Sequence, residues 1–180
     1  RRLRKLLIDE NDELGEDDIL DVIVSYDSTL HKRGFTSNYG VGVLMSMDTG
    51  EVVDLHVLSK TCEDCKAWDW MNPTSETYLA WKQEHEASGK CRSNYSGSSP
   101  AMEMKAAEVI FSRSLEDGLR YASVVSDGDS KTLSNLNDQV KPYGDFIIKK
   151  LECVNHVHKR LFTNLKNLRL KNPAIKGGRH

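Results

Sequence analysis

Between Asp21 and Leu58 three apolar, β-branched runs follow one another across short, turn-rich links. The first is Asp21-Val22-Ile23-Val24-Ser25-Tyr26, the second spans Gly40–Met47, and the third spans Glu51–Leu58. Such side chains fit a pleated, half-buried surface. Asp48-Thr49-Gly50 is short enough to be a tight hairpin turn. Three strands so linked predict an antiparallel meander. The first run is apolar on both alternating sides, which predicts a central strand buried on both faces and closing at Asp27. A sheet of this kind must bury an apolar face against something else.

The sequence supplies that cover. Ser98-Ser99-Pro100 opens a helix with proline in its first turn. The helix runs to about Asp117, where Gly118 is a natural stop. Tyr121–Ser126 reads as a fourth strand ending in Asp127-Gly128-Asp129, then a short helix around Lys131–Gln139, a fifth strand at Phe146–Leu151 and a basic helix at His156–Leu170. Residues 1–7 read as the tail of a helix, and 9–18 as an acidic loop or helix start. The order is strand, strand, strand, helix, strand, helix, strand, helix. That predicts an α/β fold with a mixed sheet, in the order of the ribonuclease H-like fold.

At 180 residues and 20.4 kDa the chain has the length of one domain. A 38% apolar and 29% charged composition excludes a fully disordered chain. No apolar run approaches the ~20 residues of a membrane-spanning helix, and no signal-peptide core follows Arg1-Arg2-Leu3-Arg4. No membrane partner is expected. The non-Met start and the Ile175–His180 end predict a piece of a longer protein.

The net charge of −2 hides a segregation. Asp9 to Asp21 holds eight acids and no base, whereas Lys149 to His180 holds nine Lys/Arg and one acid, Glu152. This basic helical segment, 149–180, points either to a polyanion partner or to a solvated helix face. Lys149, Lys150, Lys159, Arg160, Lys166 and Arg169 are its candidate contacts to a polyanion, tracking a charged backbone.

Two carboxylates sit at strand ends, Asp27 and Asp127. Ends of neighbouring strands converge on one edge of a sheet, and like charges held close call for a cation between them. Mg2+ or Mn2+ are the natural occupants for oxygen ligands. Two such ions about 4 Å apart stabilise the attacking and leaving oxygens of a phosphoryl transfer. Asp129 competes with Asp127 for this place. Glu103 is the third candidate, because it shares a helix face with Ala106, Ala107 and Ile110. A carboxylate on an apolar face needs a partner; alternatively it sits just off the core and favours the helix N-terminus.

With no secretory signal, the four cysteines read as reduced thiols or metal ligands. Residues 59–98 interrupt the strand pattern and read as an insertion with a helix near Glu76–Glu86. Cys62-x2-Cys65, nineteen residues, then His85-x5-Cys91 has the ligand types of a closed zinc site. Trp68, Trp70, Tyr78 and Trp81 are too few to build a core, so a structural Zn2+ would replace it. Unligated thiols are the alternative.

Several stretches then resemble the catalytic domain of Mutator-like transposases. They are Tyr26–Gly34, Leu58–Cys65, Asn94–Glu103, Ser126–Lys131 and Leu151–Arg160, spread over residues 20–168. Met102–Ala107 followed by Val124–Asp127 also resembles the helix-then-strand signature of ribonuclease H enzymes. The resemblance implies a ribonuclease H-like fold and metal-dependent cutting and joining of DNA in the nucleus. It places the first family Asp on Asp27 and the second on Asp127, and brings a Cys-x-x-His pair, Cys153 and His156, of undefined role. The family's final Glu has no counterpart here, since no acid follows Glu152. Glu103 would then be the third ligand, or that Glu lies beyond this sequence. Lys32 or Lys131 would contact phosphate, and oligomers would form through regions outside the chain. The alternatives are a ribonuclease H-type nuclease and a non-catalytic DNA- or protein-binding module domesticated from a transposase. All of 1–180 is expected to form one catalytic-core domain, with 59–98 as an inserted zinc subdomain.

Overall fold

A computed structural model describes residues 2–9, 15, 18–32, 36–126, 130–152 and 154–171, with side chains at all of these except 2, 9, 130 and 154–160. The chain runs α1 (Arg2–Asp9), β1 (Leu20–Leu30), β2 (Tyr39–Ser46), β3 (Val52–Ser59), α2 (Glu63–Ala67), α3 (Glu76–Ala87), α4 (Met102–Arg113), β4 (Leu119–Ser126), α5 (Ser130–Asn135), β5 (Lys149–Glu152) and α6 (Val154–Lys171). The five strands form one sheet in the order β3-β2-β1-β4-β5. The first three pair antiparallel, and β1, β4 and β5 pair parallel. The short β1–β2 and β2–β3 links permit only antiparallel neighbours. The helical crossovers α4 and α5 let β4 and β5 run parallel to β1.

The core lies on one face of the sheet. Val22, Val24 and Tyr26 of β1, Leu44 of β2, and Tyr121 and Val124 of β4 are buried against Ala107, Ile110 and Phe111 of α4. Two glycines of β2 permit the close approach of this helix. A Cβ on Gly42 would stand 2.7 Å from the Ala106 Cβ, and one on Gly40 would stand 3.0 Å from the Met102 Sδ. The helix starts as expected, with a 3-10 turn at Ser99–Ala101 leading into α4. It ends through a second 3-10 turn at Gly118, whose φ of 66° is left-handed.

Three strand readings are corrected. β1 does not close at Asp27 but continues to Leu30, because β2 keeps pairing with it as far as Leu30↔Gly40. Nor is β1 buried on both faces. Its burial alternates, and Ile23 is 39% exposed. By register, Ile23 shares the open face with Met45, Leu55 and Val57, all exposed. The strand read at Phe146 begins only at Lys149. Before it, the Asn137 side chain caps the backbone of Ile148 instead, donating to its carbonyl at 3.0 Å and accepting from its N–H at 2.9 Å.

The 59–98 segment carries α2 and α3. Ser75 caps α3 by accepting from the Tyr78 N–H. The returning chain seals the edge strand β3. The Asn94 amide donates to the Val57 carbonyl, and its oxygen accepts from the Ser59 N–H. Those groups would otherwise be open to another strand. Among the described residues no helix is long and apolar enough to cross a membrane.

Candidate functional site

Cys62 enters the first turn of α2, and Cys65 follows within it. α3 returns His85, and the loop after α3 returns Cys91. The three Sγ atoms and a ring nitrogen of His85 lie within 4.8 Å of one another. Cys62 Sγ is 3.4 Å from His85 Nε2, and Cys65 Sγ is 3.7 Å from Cys91 Sγ. A tetrahedral zinc with Zn–S of about 2.3 Å and Zn–N of about 2.0 Å has S···S edges of about 3.8 Å and S···N edges of about 3.5 Å. The observed spacings match those edges and are far from a disulfide's roughly 2.05 Å. The set could hold zinc. Four protein ligands leave no open position, which is the form of a structural site.

The surroundings favour the thiolate at Cys62. Backbone N–H groups of Arg92 and then Cys65 hold the Cys62 thiol down to about 6. Burial pushes the Cys65 thiol up. Lys82 opposes this in part: its Nζ donates to Cys65 Sγ at 3.2 Å and stands 3.9 Å from Cys91 Sγ. That hydrogen bond is the largest cause holding Lys82 well above the usual lysine range. With Zn2+ bound, three thiolates and a neutral imidazole would sum to −1, beside an ammonium that Lys82 shares with Glu86 at 3.2 Å. Trp68, Trp81 and His85 stack in a column, with centroids 4.5 and 5.0 Å apart. Cys62 and His85 are buried, whereas Trp70 is 77% exposed. The insertion thus closes around its ligands rather than around an apolar core.

The second feature lies where the parallel β1–β4 ladder ends, at Ser25↔Val125. Tyr26, Asp27, Glu103, Val124, Ser126 and Thr132 line a cleft there, with Phe111, Leu133 and Leu136 as its apolar floor. Alternation along β1 assigns Asp27 to the face opposite Tyr26. Asp27 nonetheless lines the cleft, just past the last β1–β4 pair. Asp27 is exposed, and its Oδ1 accepts from the Ser28 N–H at 2.9 Å. Glu103 is half-buried on the inner face of α4, beside the buried Ala106 and Ala107. The Tyr26 hydroxyl donates to the Glu103 carbonyl at 2.7 Å. Burial raises Tyr26 well above the usual tyrosine range, and the charges of Glu103 and Asp27 add to it.

Two of the three candidate acids, Asp27 and Glu103, are therefore brought to one cleft. Asp127, Asp129 and Cys153, and the side chains of His156, Lys159 and Arg160, lie outside the described residues. Lys149, Lys166 and Arg169 are exposed, and Lys150 lies 3.8 Å from Glu152. Sequence reasoning missed Tyr26 and Lys82. Lys82 carried a signal, standing three residues before His85 on one helix face. A tyrosine preceding Asp27 carried none.

No curated protein and no solved structure matches the chain. A family model does, the Mutator-like transposase, and it matches residues 1–179. The chain, with its five-strand mixed sheet and its three-cysteine, one-histidine cluster, belongs to the Mutator-like transposase family.

Proposed function

We propose that this chain is the catalytic core of DNA cutting and strand transfer, with Asp27, Asp127 and Glu103 holding Mg2+ or Mn2+. The observation that carries the reading is the meeting of Asp27 and Glu103, from a strand and a helix far apart in sequence, in one cleft. That cleft opens beside Ser126, the residue before Asp127 in the chain. The sheet order, with an antiparallel half and a parallel half, supports a ribonuclease H-like core. The donors divide by chemistry. Hard carboxylate oxygens suit Mg2+ or Mn2+, and thiolates with imidazole suit Zn2+. When bound at the cleft, divalent ions would supply stabilisation of the attacking and leaving phosphate oxygens.

The chain's own groups have simpler tasks. Asp27 and Glu103 fix the negative charge of the site. Water, and then a DNA 3′-hydroxyl, attacks, so no side chain serves as nucleophile. Lys149, Lys166 and Arg169 are exposed and follow phosphates, which makes binding salt-dependent, with a log–log slope of roughly −0.9 per phosphate neutralised. The 59–98 segment is a structural zinc subdomain. The compartment that fits this work is the nucleus.

Nicking of supercoiled DNA in Mn2+ tests the reading. Wild type should nick, while Asp27→Asn and Glu103→Gln should lose activity at least a hundredfold with the fold intact. Full nicking by either variant overturns the assignment of that residue. A second reading, a non-catalytic DNA-binding module, is favoured by the exposed Lys149, Lys166 and Arg169. It predicts salt-dependent DNA binding without nicking.

A further inference from the structure

We propose that Tyr26 is a positioning residue that sets the spacing between Asp27 and Glu103. The inference rests on the reading of those two acids as one metal-binding pair. Tyr26 immediately precedes Asp27, so its Cα is about 3.8 Å from that of the acid. Its hydroxyl donates at 2.7 Å to the carbonyl of Glu103 itself, 77 residues away. One hydrogen bond thus links the residue before one acid to the backbone of the other. That carbonyl has two lone pairs and can accept from Tyr26 while serving the helix.

The surroundings leave the hydroxyl little freedom. Tyr26 is 5% exposed. Gly42 of β2 lies beside it, and a Cβ there would meet the Tyr26 Oη at 2.8 Å and the Ala106 Cβ at 2.7 Å. Ala106 lies three residues from Glu103, on the same face of α4. The tyrosine therefore fills a slot bounded by the bare backbone of β2 and by the helix that carries Glu103. The slot fixes how close α4 comes to β1, and the hydroxyl fixes where along α4 the contact falls. Without that hydroxyl the helix keeps its apolar packing through Ile110 and Phe111 but loses the tie at its first turn. Residues that orient a metal ligand typically change affinity by about 10- to 100-fold when removed.

The control is built into the fold. Tyr143 also has a tethered hydroxyl, 2.7 Å from Ser114 Oγ and accepting from the Tyr121 N–H at 3.1 Å. It does not line the cleft. Mn2+ binding to the chain, followed by electron paramagnetic resonance, and the Mn2+ concentration for half-maximal nicking are measured for wild type, Tyr26→Phe, Tyr143→Phe, Asp27→Asn and Glu103→Gln. Thermal melts run alongside. The expected result is that Tyr26→Phe weakens Mn2+ binding and raises the half-saturating concentration about tenfold. Tyr143→Phe should lower the melting temperature comparably and leave both Mn2+ readouts at wild type. If Asp27→Asn and Glu103→Gln lose Mn2+ while Tyr26→Phe binds it like wild type, the positioning role is overturned and the two-acid site stands. An equal shift in Tyr143→Phe also overturns it, since the effect is then general loosening. If Asp27→Asn and Glu103→Gln bind Mn2+ like wild type, the two-acid reading fails, and the inference with it.

Discussion

The insertion at 59–98 and the sheet with α4 hold themselves together by different means. The insertion buries Cys62 and His85 but leaves Trp70 at 77% and Leu79 at 54% exposure. The sheet buries Val24, Leu44, Ala107, Ile110 and Phe111 with no exposure at all. One region gathers four candidate ligand atoms, and the other removes apolar area from water. The two differ equally in their candidate ions. The insertion offers soft thiolates in a closed set, and the cleft offers hard carboxylates on an open rim. A region without a core can be specified by a few residues at fixed spacing. A site on a sheet needs the whole sheet.

Removing the metal should break the comparison most sharply. Zinc at structural sites contributes an apparent ~10–16 kcal/mol of folding free energy. Purified chain should carry about one zinc equivalent. A strong chelator, or Cys65→Ala, should abolish hydrogen-exchange protection in α3 and shift the tryptophan emission, with β1, β2 and β4 still protected. Simultaneous loss of the sheet would show that the regions are one cooperative unit. Acid should act in the same direction. Cys62 is held down to about 6, below a free thiol's ordinary value near 8.5, so its thiolate contributes above that ordinary value. The contribution is lost as pH falls through about 6. Zinc retention, followed by a colorimetric chelator, should therefore drop below that pH. Retention unchanged to pH 4 would contradict it.

Phe111→Ala makes the reciprocal cut. The ring is fully buried and stands edge-on to Tyr121, with centroids 5.2 Å apart. Truncation should cost about 3–5 kcal/mol, read as a lower denaturant midpoint with zinc still bound. A variant that loses zinc as readily as it loses stability would again join the two regions.

Lys82→Met sharpens the comparison within the insertion. It removes the ammonium beside Cys65 and Cys91 and keeps the aliphatic stem. Zinc affinity should fall about tenfold, or about 1.4 kcal/mol, by chelator competition. The melting temperature of the sheet should not move. Unchanged affinity would mean that solvent already screens the thiolate charge.

Both regions were visible in the sequence, to different depths. The candidate zinc set was legible because metal spacing is local: Cys62-x2-Cys65 fits one turn of chain, and His85 and Cys91 flank the end of one helix. The element order was legible for a similar reason, since strand and helix periodicity and the stops at Gly50 and Gly118 are written within a few residues. Glu103 could be placed on the inner face of α4 from its neighbours at three and four residues. Other features were decided only by the tertiary structure. Whether β1 is covered on both faces depends on which elements pack there, and Ile23 reads the same either way. Where β1 ends depends on β2, which carries it past Asp27. The tie from Tyr26 to the Glu103 carbonyl joins residues 77 apart, and the slot beside Gly42 exists only once α4 lies on β2. Short-range order follows from backbone preference and side-chain period. Contacts between distant segments are selected by the packing of the whole sheet, where one glycine or one hydroxyl decides how near two elements can come.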